Sequence, residues 1–446
     1  MDIVVVATPE LGDRSYVVAE GTVAFVVDPQ RDIDRIIQIC AEHGLIVAAV
    51  GDTHIHNDYV SGGLALSSEL GVPYLVHADD QVAFERVAVR DGDVFEFGPL
   101  NVEVLHTPGH TPNHISFRVT SVSDPTGVVM SGGSMLYGSV GRTDLISEEM
   151  TEPLSRAQYR SAHRIADSLP SETELMPTHG FGSFCSAVSV QEVSDGTVGG
   201  ERRVNIVFKY PDEDEFVAML MASYDPYPAY YRHMGPANRA GASALRPMAP
   251  RRLSGPEAAE LCGAGAIAID IRSRHEHYAS HPRGSYLMEY GSSFSTYLGW
   301  MFPSDSAFIL VTDSSSDPVA AVRSLGFIGI EEIVGQVEAA ELSLVLGEGS
   351  ITAIDFAEYF DHLRTTPHQL LDVRNPSEHR QNRLPGAIQI PIYEVANRID
   401  ELDPSIPVVV HCAAGFRASA AGSLLTQRGF NVVVINDDLA NGLARL

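Results

Sequence analysis

The chain has 446 residues, 44% of them hydrophobic and 20% charged, with a formal net charge of −28. This length suggests two to four domains, each with its own core, and the acidity argues against partners such as nucleic acid or an anionic membrane. Lys209 is the single lysine, which excludes a Gly-x4-Gly-Lys phosphate loop and leaves Schiff-base chemistry only one residue to rest on. Cys40, Cys185, Cys262 and Cys412 are too dispersed for a disulfide framework or a Cys-x2-Cys zinc site. There is no basic, signal-like amino terminus and no apolar run of membrane-span length, so the expected location is cytoplasmic, with reduced thiols.

In chain order, residues 2–7 and 15–28 alternate as strands around a turn at 11–14. Ile33, Ile36, Ile37 and Cys40 have helical spacing and stop at Gly44. The apolar run 45–50 reads as a buried strand that opens into Thr53-His54-Ile55-His56-Asn57-Asp58. Two imidazoles and a carboxylate at a strand end are placed to converge on a metal. A helix over 64–70 and strands over 74–76, 94–97 and 102–105 follow, the last ending in His106-Thr107-Pro108-Gly109-His110. Strand 128–130 ends in Ser131-Gly132-Gly133-Ser134, and the chain passes Gly141-Arg142-Thr143-Asp144 and a helix over 156–169 to reach Pro177-Thr178-His179-Gly180. Several strands thus end in loops carrying His or Gly, as in a sheet sandwich flanked by helices with its site along one rim. Residues 236–252 read as a linker.

An internal repeat comes next. Asp270-Ile271-Arg272 and Asp372-Val373-Arg374, each followed by Glu-His and then a glycine, lie at a constant offset of 102 residues. This spacing describes two copies of an α/β unit of about 95 residues. In the second copy the apolar run 408–410 leads into His411-Cys412-Ala413-Ala414-Gly415-Phe416-Arg417 and a helix. A cysteine between a strand and a helix amino terminus sits among N–H groups and the positive end of the helix dipole, an environment that favours thiolate, and Arg417 adds fixed charge. In the first copy Asp313 replaces the cysteine and Pro318 falls near the arginine's place.

The Asp-Val-Arg motif, Pro385-Gly386-Ala387-Ile388 and the six-residue loop from Cys412 to Arg417 resemble a rhodanese sulfurtransferase domain. The resemblance implies that Cys412 carries sulfane sulfur, with Ala413, Ala414, Gly415, Phe416 and Arg417 positioning the sulfur and its donor. The protein-phosphatase alternative uses a loop one residue longer. The first copy resembles a pseudo-rhodanese domain. His54-x-His56-x-Asp58, His110, Gly141-Arg142-Thr143-Asp144 and His179 are similar to persulfide dioxygenases of the metallo-β-lactamase fold. The whole order resembles bacterial fusions of that fold with rhodanese domains.

The fold so implied is α/β multidomain: an αββα metallo-β-lactamase sandwich over 1–240, then rhodanese-like α/β domains over 253–346 and 350–446. The resemblance implies one metal per chain, iron(II) with zinc as the alternative, and a likeness to enzymes that oxidise a glutathione or coenzyme A persulfide with O2 to sulfite. Sulfite or thiosulfate would be the sulfur partner of the rhodanese domain, and a homo-oligomer is expected. The family's ligands would be His54, His110 and an aspartate, but Gly133 stands at the aspartate's position, and Tyr59 replaces the histidine that usually ends the first motif. A two-zinc hydrolase is therefore disfavoured. His54, His56 and His110 could hold one metal unaided; a water or anion in the space left by Gly133, or Asp58 or Asp144, could complete it; or the site could be empty. Arg142 and His179 are the expected substrate-binding residues, Arg142 for an anionic thiol, and Cys185 is either a second sulfur carrier or a buried thiol. The alternatives are a sulfurtransferase alone, or a non-enzymatic persulfide carrier or sensor.

Overall fold

The structure, a computed structural model, describes residues 1–187 and 194–446. Two compact units divide the chain, one of residues 1–246 with 326–329 and the other of 247–325 with 330–446.

The first unit holds β1 (Asp2–Thr8), β2 (Asp13–Glu20), β3 (Val23–Val27), β4 (Ile46–Gly51), β5 (Tyr74–His77), β6 (Val87–Val89), β7 (Val94–Phe97), β8 (Leu100–His106), β9 (Ile115–Ser121), β10 (Val128–Gly132) and β11 (Glu174–Pro177). They form a six-stranded sheet ordered β1 to β6 and a five-stranded sheet ordered β11-β10-β9-β8-β7. The run 15–28, expected as one strand, is broken at Gly21, whose φ of +62° turns it into a hairpin. Strands β6, β9 and β11 are not among the strands expected from the sequence.

Side chains on the facing sides interdigitate: Tyr16, Val18, Phe25, Val27 and Leu75 from one sheet meet Val102, Val104, Phe117, Val119 and Met130 from the other. A Cβ at Gly51 would stand 2.8 Å from the Phe117 ring, so a residue without one lets the sheets close at the rim. Helices Ile33–Glu42 and Gly63–Leu70 cover the outer face of the first sheet, and Glu148–Ser168 and Glu213–Ser223 that of the second. These are the αββα layers. The expected linker begins five residues later than read: helix Tyr231–Ala240 runs through Pro236, and its Asn238 amide donates to the carbonyls of His56 and Tyr59, both at 2.8 Å.

The second unit contains two parallel sheets. In one, strands run in the order Tyr286–Leu287, Ile267–Asp270, Phe308–Thr312, Ile333–Glu338; the other has Ile388–Gln389, Gln369–Asp372, Val408–His411, Val432–Ile435 and adds Thr352–Ile354 at the edge. The matching order is the sequence repeat in three dimensions. Its Asp-x-Arg…Glu-His signature is a structural lock. Asp372 takes Arg374 Nη2 at 2.7 Å and His379 Nδ1 at 2.9 Å, and Asp270 takes Arg272 Nη2 at 2.7 Å and His277 Nδ1 at 2.8 Å. Burial works against charge on Asp372, but Arg374, His411 and His379 outweigh it and leave its pKa below the usual carboxylate range. Its contribution is therefore full above the ordinary aspartate pKa and fades as pH falls through the lowered one. Asp372→Asn leaves the buried Arg374 uncompensated and is expected to destabilise this unit by about 3–5 kcal/mol, measured by urea unfolding. Among the described residues, no helix is long and apolar enough to cross a membrane.

Candidate functional site: a histidine cluster and a cysteine loop

The carboxyl ends of β3, β4, β8, β10 and β11 open onto one rim, and the loops there bring together His54, His110 and His179. One ring nitrogen of each lies within 4.8 Å of the others, and all three side chains are buried. The hydrogen bonds fix which nitrogens face inward. His110 Nδ1 donates to the Arg142 carbonyl at 2.7 Å, which leaves Nε2 a bare acceptor, buried and without a hydrogen-bond partner. Thr53 Oγ1 donates to Asp28 at 2.8 Å, so it can only accept from His54 Nδ1 at 2.9 Å, and His54 Nε2 is again bare. His179 Nδ1 donates to Asp13 at 2.8 Å and lies 3.1 Å from Asp58, and its Nε2 stands 3.3 Å from His54 Nε2. Three imidazoles anchored at Nδ1 by oxygen acceptors, with Nε2 atoms converging, are the arrangement in which outer partners orient metal-binding histidines.

Electrostatics point the same way for His54 and His110 but not for His179. Burial, then the neighbouring imidazoles, hold His54 well below the usual histidine range, and burial followed by His179 pushes His110 down to about 3. Burial also opposes charge on His179, but Asp58 and Asp13 outweigh it and raise His179 well above that range. Of its two carboxylates, Asp13 is lifted by burial and Asp58 to about 8; Asp58 is lowered because His179 overcomes its burial. The two carboxylates thus favour the protonated form of His179, whose Nε2 lies 3.3 Å from His54 Nε2. A metal would have to displace the added proton.

His56, expected beside His54 and His110, is held in a different group. Its Nε2 is tied to the Tyr59 hydroxyl at 3.0 Å and to Asp28 at 3.3 Å, and it joins Asp58 and His179, or Asp28 and Asp52, rather than His54 and His110. His179, expected to bind substrate, takes its place in the trio. The space expected at Gly133 is filled by the His110 ring: a Cβ at 133 would lie 2.5 Å from His110 Cγ. The Gly133 N–H donates to His114 Nε2 at 2.9 Å. Asp144 cannot move in, because it grips Arg142 through two bonds of 2.7 and 2.8 Å. Arg142 is itself buried and also donates to the carbonyls of Phe184 and Asp225. Its guanidinium is an internal brace, and its carbonyl orients His110. Cys185 is buried, its thiol raised well above the usual range by burial and then Asp58, which describes a thiol kept protonated.

Asp13, Asp28 and His114 were missed. Asp13 lay in a segment read as a surface turn, and Asp28 at the end of a segment read as one long strand. The available signal was positional, because Asp28 closes β3, the parallel neighbour of the strand that delivers His54. Its φ of +51° marks a strained backbone at this rim.

In the second unit, Cys412 follows strand Val408–His411 and precedes helix Phe416–Gln427. It is 2% exposed, and the Gly415 N–H donates to its sulfur at 3.1 Å. Gly415 has a φ of +93°, which turns that N–H inward. Of the other loop residues, the Ala413 carbonyl accepts from Leu439 N at 2.9 Å, the Ala414 carbonyl faces Arg274, and the Phe416 ring packs 5.8 Å from that of Tyr297. Arg417 does not carry a free charge into the loop. Its guanidinium is bidentate on Glu378 at 2.5 and 2.7 Å, and Glu378 also closes the capping box of helix Pro376–Gln381. The repeat signature's glutamate is therefore the arginine's partner, a role the sequence reading had not assigned.

A rhodanese-like domain model matches residues 355–442. An uncharacterized protein of Mycobacterium leprae is 31% identical over 218 residues, 43% of this chain and 90% of that protein. The mitochondrial persulfide dioxygenase ETHE1 of Homo sapiens is 28% identical over 229 residues, 51% of this chain and 81% of that protein. A metallo-β-lactamase of Staphylococcus aureus matches with a TM-score of 0.66 at 25% identity, over 76% of this chain and 99% of that one. The chain thus carries a rhodanese-like domain over 355–442, and its αββα layers and histidine rim lie in a region similar to a persulfide dioxygenase and to a metallo-β-lactamase.

Proposed function

We propose that the protein processes persulfide sulfur at two centres: oxidation of a low-molecular-weight thiol persulfide in the amino-terminal domain and transfer of sulfane sulfur through Cys412 in the carboxy-terminal one. The working domains are 1–240, 253–346 and 350–446, in a cytoplasmic protein. The observation that carries the first half is the buried, unpartnered Nε2 of His110, which converges with those of His54 and His179. That donor set fits one metal per chain, with three histidines in place of the two histidines and carboxylate of a facial triad. Iron(II) held there would supply a centre at which persulfide and O2 react, and the net reaction is RSSH + O2 + H2O to RSH, sulfite and two protons. The chain's own residues do the orienting: Asp28 acts through Thr53 on His54, the Arg142 carbonyl on His110, and Asp13 with Asp58 on His179. Tyr59 and Asp28 hold His56 out of the set.

In the carboxy-terminal domain, the Cys412 thiolate would attack the sulfane sulfur of RSSH and expel RSH. Sulfite would then take the outer sulfur as thiosulfate and restore the thiolate. The loop N–H groups support the negative sulfur, and Glu378 fixes Arg417 beside it. A sulfurtransferase acting alone is the second reading, favoured by the absence of a carboxylate at Gly133.

Protein loaded anaerobically with iron(II), then given glutathione persulfide and O2, is expected to consume O2 and release sulfite. Absence of O2 uptake above the metal-free control, with thiosulfate–cyanide sulfur transfer intact, would decide for the sulfurtransferase alone. Loss of both activities would leave the carrier or sensor.

A further inference from the structure

The cysteine-less copy of the repeat reaches the cysteine of the other copy through one peptide group. Arg274, at the first turn of helix Arg274–Ala279, is held at Nε by Glu289 at 2.8 Å. Its Nη1 donates to the Ala414 carbonyl at 3.2 Å and to Asn436 Oδ1 at 3.2 Å. The Ala414 carbonyl and the Gly415 N–H belong to the same trans peptide, so they point in opposite directions. One end of this unit meets the Arg274 cation while the other donates to Cys412 Sγ at 3.1 Å. A cation at the oxygen polarises the amide and strengthens its N–H as a donor to a negative sulfur.

Two further observations indicate that the contact is built. A Cβ at position 415 would stand 2.9 Å from Arg274 Nη1 and would also meet Asn436, so the glycine leaves the guanidinium its room. The repeat itself does not need an arginine there, because the equivalent residue of the second copy is Pro376, at the first turn of its own helix. The two copies share the Asp-x-Arg lock and diverge at the residue that faces the cysteine loop.

We propose that Arg274 is a positioning residue for Cys412: the cysteine-less copy sets the reactivity of the other copy's sulfur by clamping the Ala414–Gly415 peptide. This rests on the reading of Cys412 as the sulfur-bearing nucleophile. It gives the degenerate copy a chemical task beyond packing.

The test is the rate of Cys412 alkylation by iodoacetamide against pH in the full-length protein, located by peptide mass, alongside thiosulfate–cyanide transfer. In Arg274→Gln the alkylation rate at pH 7 is expected to fall about three- to tenfold, with the profile displaced to higher pH, and Arg274→Lys should recover part of the loss. Glu289→Gln, which frees the guanidinium without removing it, is expected to shift the profile in the same direction by less. It carries the test if Arg274→Gln fails to fold. Gln427→Ala removes an inter-copy bond to the Ser285 carbonyl away from the loop and is expected to leave the profile in place. Arg274→Gln or Glu289→Gln profiles that overlay the wild type would overturn the proposal, as would an equal shift in Gln427→Ala, which would reduce Arg274 to interface packing. A wild-type protein without Cys412-dependent sulfur transfer would instead defeat the functional reading, and the alkylation profiles would still judge Arg274.

Discussion

Cys412→Ser is expected to reduce thiosulfate–cyanide sulfur transfer by at least about a thousandfold, because a serine hydroxyl is neither ionised near neutrality nor able to carry a sulfane sulfur. The substitution is nearly isosteric in a loop whose shape is set by Gly415, by the Ala413 carbonyl bonded to Leu439 and by Arg417 on Glu378, so folding should be unaffected. Cys185 cannot stand in: it is buried and its thiol is held protonated. Cys40 is likewise buried, in the apolar cluster beneath helix Ile33–Glu42. Intact mass after incubation with a persulfide donor should show one added sulfur on the wild type and none on the variant. Oxygen uptake by the iron-loaded variant should persist, since the proposed oxidising centre is built from other residues. Transfer surviving in Cys412→Ser would remove the sulfurtransferase assignment.

Much of this is legible in the amino-acid sequence, for definite physical reasons. Buried parallel strands show as uninterrupted apolar runs, so the strands ending near His54, Gly133 and Cys412 were visible, and the loops beyond them carried the chemistry. The repeat was visible because Asp372 and Arg374, like Asp270 and Arg272, form a buried ion pair that tolerates little change in spacing. What sequence could not give was partner choice. His56 sits two residues from His54, close enough to suggest a shared metal, yet Tyr59 and Asp28 claim its ring. Gly133 suggested a space for a water or an anion, whereas the His110 ring fills it. Arg142 and Arg417 looked like free cations for anionic substrates, and Asp144 and Glu378 neutralise them. Each of these outcomes depends on a residue brought in by the sheet or the repeat rather than on local spacing.

His110→Ala is expected to lower bound metal from about one ion per chain to less than about a tenth of that, as measured by elemental analysis after anaerobic iron or zinc loading. The alanine removes the one imidazole of the trio whose inward nitrogen has no hydrogen-bond partner, and leaves His54 and His179 facing each other. Stability gives a second readout. A ligand at a hundred times its Kd stabilises by about 2.7 kcal/mol. A domain of this size moves by about 2–4 °C per kcal/mol, so a chelator should lower the first melting transition of the loaded wild type by about 5–10 °C. His110→Ala should be insensitive to the chelator. Gly133→Asp tests the same geometry from the other side. A Cβ at 133 and the His110 ring claim one space, so the single substitution should overpack the rim, at a cost of about 1–3 kcal/mol, and bind metal less well than the wild type. In a His110→Ala background the same aspartate has room, and with His54 and His179 it would give two histidines and a carboxylate. The double variant is therefore expected to bind more metal than either single one. If Gly133→Asp alone binds metal better than the wild type, the His110 ring is not held where the structure puts it, and the three-histidine centre fails.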